Sequence, residues 1–361
     1  MNENKNDFAK LSLSASMLGN LEQLGYLQMT AIQAASLPVT LAGKDLIAQA
    51  STGSGKTAAF GIPLVEKILP ADFAVQAMIL CPTRELADQV SQEIRRLARA
   101  VGNVKVVTLC GGVALRGQVL SLEHGAHVVV GTPGRIMDHL ERGSLKLKGL
   151  KTLVLDEADR MLDMGFIHDV KRVIKLIPAK RQTLFFSATM PKTIADLGSR
   201  FLKDPVRVSV APQATTAERI RQFVTFCTQR EKQALLTIRL KEEEIDRALV
   251  FTRTKHGADR VVKNLIAAGI PCAAIHGNKS QGARTRALAD FKAGEIRILV
   301  ATDIAARGLD IEQLPQVVNF DLPNVSEDYV HRIGRTGRAG ATGQAISLVS
   351  ADEVDLLSDI E

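Results

Sequence analysis

The chain has 361 residues and a mass of 39.0 kDa, which at about 150 residues per domain points to two domains. With 46% hydrophobic and 24% charged residues it has the composition of an ordinary globular protein, and no uncharged apolar run reaches the ~18 residues that a membrane span needs. The net charge of +7 and pI near 9.3 are compatible with a polyanionic partner, while the absence of Trp and the presence of only two Tyr disfavour a surface of base-stacking rings.

The opening "MNENKNDFAK" has neither the apolar stretch of a signal peptide nor the arginine bias of a transit peptide. A cytoplasmic protein with no membrane partner is therefore expected, and a monomer. Short apolar, β-branched runs then alternate with helical periodicity: "DLIAQA", "AMILC", "VKVVTLC", "HVVVGT", "TLVLDEAD" and "TLFFSAT". Between them Leu86, Val90, Ile94 and Leu97 recur at helical spacing. Residues 210–219, "VAPQATTAER", lack periodicity and read as a linker. A second series follows with "FVTFC", "RALVFT", "CAAIHG", "RILVAT", "QVVNFD" and "AISLVS". Continuous apolar strands alternating with amphipathic helices predict parallel sheets covered on both faces, in two α/β domains at 1–209 and 220–361. Several strands end in Thr (Thr83, Thr132, Thr189, Thr252, Thr302), at the sheet edge where ligands bind in open parallel sheets.

Cys81, Cys110, Cys227 and Cys272 lie far apart, in or beside strand-like runs, and are expected to be buried free thiols. His124 and His127 form an HxxH pair with no acid or cysteine at useful spacing, so a strand-entry position is the better reading and no structural metal is expected.

The segment "ASTGSGKT" follows the strand "DLIAQA" and precedes a helical run. Loop amides and a helix N-terminus in that order cradle phosphate oxygens. Ser51, Thr52, Gly53, Ser54 and Gly55 form the loop, Lys56 is placed for the β and γ phosphates, and Thr57 for Mg²⁺, although Ala50 replaces the usual first glycine. About 100 residues on, "LVLDEAD" sets Asp156 and Glu157 at a strand end, suited respectively to Mg²⁺ and to the attacking water. Alone these carboxylates would be read as helix caps; with the glycine loop they predict ATP hydrolysis.

Taken together, "ASTGSGKT", "PTREL", "TPGR", "DEAD", "SAT", "ATDIAARGLD" and "HRIGRTGR" resemble the DEAD-box ATP-dependent RNA helicases, in family order from about Phe8 onward. The resemblance implies two RecA-like domains, ATP and Mg²⁺ as cofactors, and RNA as partner. It assigns adenine recognition to Gln33, Thr30 and Tyr26, with Phe8 lying 17 residues before Gly25. It assigns coupling to Ser187, Ala188, Thr189, Asp303, His331 and Arg332, ribose contact to Asp310, and arginine fingers to Arg335 and Arg338. RNA contacts fall on Pro82, Thr83, Arg84, Gly111, Gly112, Thr132, Pro133, Gly134 and Arg135, then on Arg253, Gly277, Gln281, Arg284 and Thr302. These groups suit phosphate and ribose and cannot read base sequence.

Up to about residue 165 the chain looks most like the DbpA branch of the family, and beyond it most like the RhlE branch, which suggests either a joined pair of cores or a divergent intermediate. No basic tail follows the last motif, so target choice is not expected to be encoded here. Two other readings stay open: a DNA-directed helicase of the same superfamily, and an ATP-gated RNA clamp without robust unwinding.

Overall fold

A computed structural model describes residues 6–51, 53–210, 220–241, 245–306, 309, 311, 314–337 and 343–361. Of the sequence expectations, Thr52, Asp310, Arg338 and the linker beyond Val210 lie outside the described residues. The chain divides into two compact units, Met1–Pro212 and Gln213–Glu361.

In the first unit seven strands form one parallel sheet: β1 (Leu46–Gln49), β2 (Ala77–Leu80), β3 (Val106–Leu109), β4 (Val128–Gly131), β5 (Thr152–Leu155), β6 (Gln182–Ser187) and β7 (Val206–Ser209), in the order β3-β4-β2-β5-β6-β1-β7. The period-2 alternation of a strand sorts its side chains between two cores. Leu46, Ala48, Ile79, Val128, Val130, Val154, Leu184 and Phe186 pack on one face, with Phe60 of the helix Lys56–Glu66 and Val90 and Ile94 of the helix Arg84–Leu97. Ile47, Met78, Leu80, Val129, Leu153, Leu155 and Phe185 pack on the other, with Ile136, Val173 and Ile194. Each such buried Leu, Ile, Val, Met or Phe side chain contributes about 1.5–3 kcal/mol. Runs that are apolar at every position follow from burial on both faces.

β7 is absent from the strands expected from sequence. Its "VRVS" alternates half-buried and exposed positions at the sheet edge, paired only to β1, so it lacks the continuous apolar run that marks the other strands.

In the second unit six parallel strands, β8 (Ile220–Phe226), β9 (Ala248–Phe251), β10 (Cys272–Ile275), β11 (Ile298–Ala301), β12 (Gln316–Asn319) and β13 (Gly343–Val349), run in the order β10-β11-β9-β12-β13-β8. The same division recurs, with Ala248, Val250, Ile298 and Val300 on one face and Leu249, Phe251, Leu299 and Ala301 on the other.

His127 is fully buried at the entry to β4: its Nδ1 accepts from Lys105 N at 2.9 Å, which leaves Nε2 to donate to Pro70 O at 3.1 Å. Cys81, Cys110 and Cys272 are buried free thiols, whereas Cys227 is only half-buried because it follows the exposed edge strand β8. Among the described residues no helix is long and apolar enough to cross a membrane.

Candidate nucleotide and nucleic-acid sites

The glycine loop leaves β1 and enters the helix Lys56–Glu66 through Gly53 at φ +77° and Gly55 at φ +94°. A side chain at Gly55 is excluded twice, since a Cβ there would lie 2.6 Å from Gln33 Nε2 and 3.0 Å from Thr30 Oγ1. The adenine-motif residues therefore sit directly on the loop. Gln33 is 1% exposed; its Oε1 accepts from Thr30 N at 2.9 Å and its Nε2 donates to Gly55 O at 3.1 Å. One amide proton and one lone pair remain for a base edge. Ala50, buried at 2% exposure, accepts from Lys56 Nζ at 3.0 Å through its carbonyl, and Ser54 Oγ donates to Ser51 O at 2.7 Å. Thr57 follows, half-buried, on the first turn.

Phe8 lies in the core, edge-on to Tyr26 with ring centroids 6.4 Å apart, and Met29 N donates to Asn6 O, joining the two segments. The Tyr26 hydroxyl donates to Glu93 at 2.5 Å, and burial with that carboxylate raises its pKa.

At the end of β5, Asp156 and Glu157 are each 3% exposed. Burial pushes the Asp156 carboxyl up to about 7, against the pull of the Lys56 ammonium and with a further push from Glu157. Its Oδ1 is buried with no hydrogen-bond donor. A buried carboxylate oxygen left in that condition is a destabilised acceptor, and a cation satisfies it. Glu157 holds φ +52°, a left-handed conformation costing a non-glycine residue about 1–2 kcal/mol, and its Oε2 lies 3.5 Å from Arg160 Nε. Strain of this kind persists where surrounding structure imposes it.

The resemblance implies that "SAT" hydrogen-bonds to the DEAD segment, and the residue that makes those bonds, not singled out from sequence, is the third carboxylate of the block, Asp159. Its Oδ2 accepts from Ala188 N (3.1 Å), Thr189 N (2.7 Å) and Thr189 Oγ1 (2.9 Å), while its own N donates to Ser187 Oγ at 3.2 Å. Gln49 Nε2 donates to Ala188 O at 3.3 Å. "SAT" is thus tied to the DEAD segment by Asp159 and to the base of the glycine loop by β1. The signal available in the sequence was the fourth letter of the DEAD block, an acid on a helix's first turn, whose ordinary reading is a dipole complement.

The RNA-motif residues of this unit gather at the ends of β2, β3 and β4. Pro82 is buried, and Thr83 caps its helix by accepting from Leu86 N at 3.2 Å. Arg84 lies against Gly111 and Gly112, so closely that a Cβ on Gly112 would fall 2.0 Å from its Nη1. Thr132, Pro133 and Gly134 open the helix Pro133–Glu141, and Arg135 Nη1 donates to Val113 O and Gln118 Oε1. Gln118, another residue missed from sequence, also donates to Cys110 O at 2.8 Å and accepts from His139 Nε2 at 2.9 Å.

In the second unit Arg332 is 1% exposed and wholly engaged: Nε and Nη2 donate to the two Asp303 oxygens (2.5 and 2.7 Å), Nη1 to Asn319 Oδ1 (3.1 Å) and Asp321 O (2.6 Å), and its guanidinium lies 4.9 Å from the Phe251 ring centre. Arg335 is 4% exposed and donates from Nη1 to Leu309 O at 2.8 Å. His331 is half-buried, 3.9 Å from Asp328. Thr302 follows β11, Gly277 is exposed after β10, Gln281 and Arg284 lie on the first turn of the helix Gln281–Ala293, and Arg253 follows β9.

A glycine loop opening a helix beside a strand-end carboxylate pair, on a parallel sheet, defines a P-loop nucleotide-binding protein. Residues 30–197 match the DEAD/DEAH box helicase family, and residues 230–340 match the helicase conserved C-terminal domain. The DEAD-box ATP-dependent RNA helicase CshA of Geobacillus kaustophilus is 47% identical over 354 residues, spanning 98% of this chain and 76% of the relative. ATP-dependent RNA helicase DbpA of Escherichia coli is 47% identical over 351 residues, spanning 96% and 77%, an alignment that runs through residue 165. Among solved structures, S. cerevisiae Dbp5 bound to RNA and ADP BeF3 is similar with a TM-score of 0.88 at 29% identity, covering 98% of this chain and 92% of that one. The chain belongs to the DEAD-box family of ATP-dependent RNA helicases.

Proposed function

We propose that this protein is an RNA-stimulated ATPase that grips single-stranded RNA in its ATP-bound form, separates short duplexes locally, and resets on hydrolysis. The observation that carries the reading is the pairing of Asp156, with its undonated buried oxygen, with the loop that holds Lys56. Asp156 and Thr57 would hold Mg²⁺, which when bound neutralises phosphate charge. Lys56 binds and orients the β and γ phosphates, Gln33 presents its remaining amide groups to adenine, and Glu157 orients the attacking water and takes its proton. Asp159 passes the state of this carboxylate segment to Ser187–Thr189.

RNA is held by Thr83, Arg84, Gly111, Gly112, Arg135, Arg253, Gln281, Arg284 and Thr302 through phosphate and 2′-hydroxyl groups. Closure of two units, 1–209 and 220–361 about a linker at 210–219, brings Arg335 and Arg338 to the γ phosphate. A closed grip fits a bent single strand and not an A-form duplex, so closure breaks pairs. The test is displacement of a short RNA duplex with ATP and with a non-hydrolysable analogue. Displacement by both, with multiple turnover only with ATP, supports the reading; a tight ATP-dependent grip with no displacement would leave an RNA clamp.

A further inference from the structure

Beyond the helicase motifs, the turn that follows β13 places a carboxylate in the middle of unit two. Glu353 is 1% exposed, fixed by a capping box in which its side chain accepts from Ser350 N at 3.2 Å. Its two oxygens face opposite ways. Oε2 pairs with Lys232 Nζ, which is itself fully buried and also donates to Phe320 O at 2.9 Å. Oε1 accepts from Arg253 Nη2 at 2.6 Å and from Leu322 N at 3.1 Å. Arg253 is held at two further points, its Nε donating to Leu322 O at 3.3 Å and its backbone N to Asp321 Oδ2 at 3.0 Å. A third of its side chain remains exposed, 33%, against 1% for the glutamate beneath it.

A guanidinium has five donors in a rigid fork, so a carboxylate and a carbonyl behind it can fix its plane while donors on the outer edge stay available. A surface arginine without such backing must be ordered when a phosphate binds, and that ordering weakens binding. Lys232 balances the carboxylate from inside. Glu353 can therefore hold Arg253 without leaving an uncompensated charge in the core.

We propose that Glu353 is a positioning residue for RNA binding, acting through Arg253 with Lys232 as its buried counter-charge. The inference rests on the reading of Arg253 as an RNA contact. Affinity for oligouridylate RNA, measured in the presence of adenylyl-imidodiphosphate and below the unfolding temperature of every variant, separates the two claims. Arg253→Ala weakens RNA binding. Glu353→Gln weakens it by roughly three- to tenfold, and adds nothing when combined with Arg253→Ala. Leu265→Ala, a core truncation in the same unit away from this cluster, lowers Tm yet leaves RNA affinity near wild type. Where Glu353→Gln does not fold, Glu353→Asp, which withdraws the carboxylate by one methylene, takes its place with the same expectation. An Arg253→Ala variant that binds RNA as the wild type does removes the contact reading and the inference with it. A normal Arg253 effect with wild-type affinity in the Glu353 variant, additive losses in the double variant, or an equal loss in Leu265→Ala overturns the role of Glu353 alone.

Discussion

In the first unit Asp156 is 3% exposed and keeps an oxygen with no donor, whereas in the second Arg332 is 1% exposed and every nitrogen of its guanidinium donates within the fold. Asp156 follows β5, whereas Arg332 lies on the helix Ser326–Ile333 and reaches Asp303 and Asn319 at the carboxyl ends of β11 and β12; both stand in family motifs. The difference is between a buried charge with an unmet acceptor, which we propose a ligand meets, and a charge whose bonds are made within the fold. A buried acceptor without a donor raises the free energy of the unliganded fold, and ligand binding recovers it. A bidentate pair such as Arg332–Asp303 is satisfied already, so its loss is felt in stability first. Position in a motif does not by itself distinguish the two uses; hydrogen-bond accounting does.

Substitutions that attack the comparison should separate along this line. The largest effect is expected from Glu157→Gln, which removes the carboxylate proposed to orient the attacking water and should slow hydrolysis by up to ~10⁴-fold while nucleotide binding persists; Lys56→Ala should instead lose nucleotide affinity. Equal, wild-type-like turnover in both would dismantle the site. Arg335→Ala should reduce RNA-stimulated hydrolysis by ~10³-fold or more, with a smaller fall in Tm than Arg332→Ala because the bond to Leu309 O is lost in place of the four that Arg332 makes. Arg332→Ala is the contrasting change: leaving Asp303 without its bidentate partner should destabilise the second unit by about 3–5 kcal/mol, read as a lower unfolding midpoint. If the two variants behaved alike, the division between scaffold and site arginines would fail.

Asp159→Asn is expected to have a smaller effect. The substitution keeps the shape but weakens an acceptor serving three donors, each such charged hydrogen bond contributing about 1.5–3 kcal/mol. ATP binding should persist while RNA stimulation falls roughly tenfold, the energetic equal of about one such bond. RNA affinity should fall with salt at a log-log slope of about −0.7 per phosphate neutralised, giving a few units in all; a slope near zero contradicts a backbone grip. The mildest readout is thiol labelling. Burial pushes Cys110 up to about 12 and Cys81 well above the ordinary thiol range, so at pH 8 iodoacetamide should modify half-buried Cys227 first.

The parts legible in sequence share a property: they repeat locally. Strands buried on both faces read as apolar runs, and the helix Arg84–Leu97 shows its buried Leu86, Val90, Ile94 and Leu97 as a period. The glycine loop and DEAD block were recognisable because phosphate and metal chemistry restrict residue types at fixed spacing. β7 escaped because an edge strand needs only half its residues buried. Asp159, Gln118 and Glu353 escaped for another reason. Their partners lie 30, 17 and 100 residues away at Thr189, Arg135 and Arg253, and no local pattern announces a contact of that separation. Arg332 and Arg335, three positions apart, look alike in sequence and differ only in what surrounds them.

The central claim is that ATP hydrolysis here answers to RNA. Its most direct test is the steady-state ATPase rate with Mg²⁺ in the presence of no nucleic acid, single-stranded RNA, and DNA of the same base sequence. A rate that rises strongly with RNA, little with DNA, and similarly for unrelated RNA sequences is the predicted result; equal rates under all three conditions, or equal stimulation by DNA, would contradict the account.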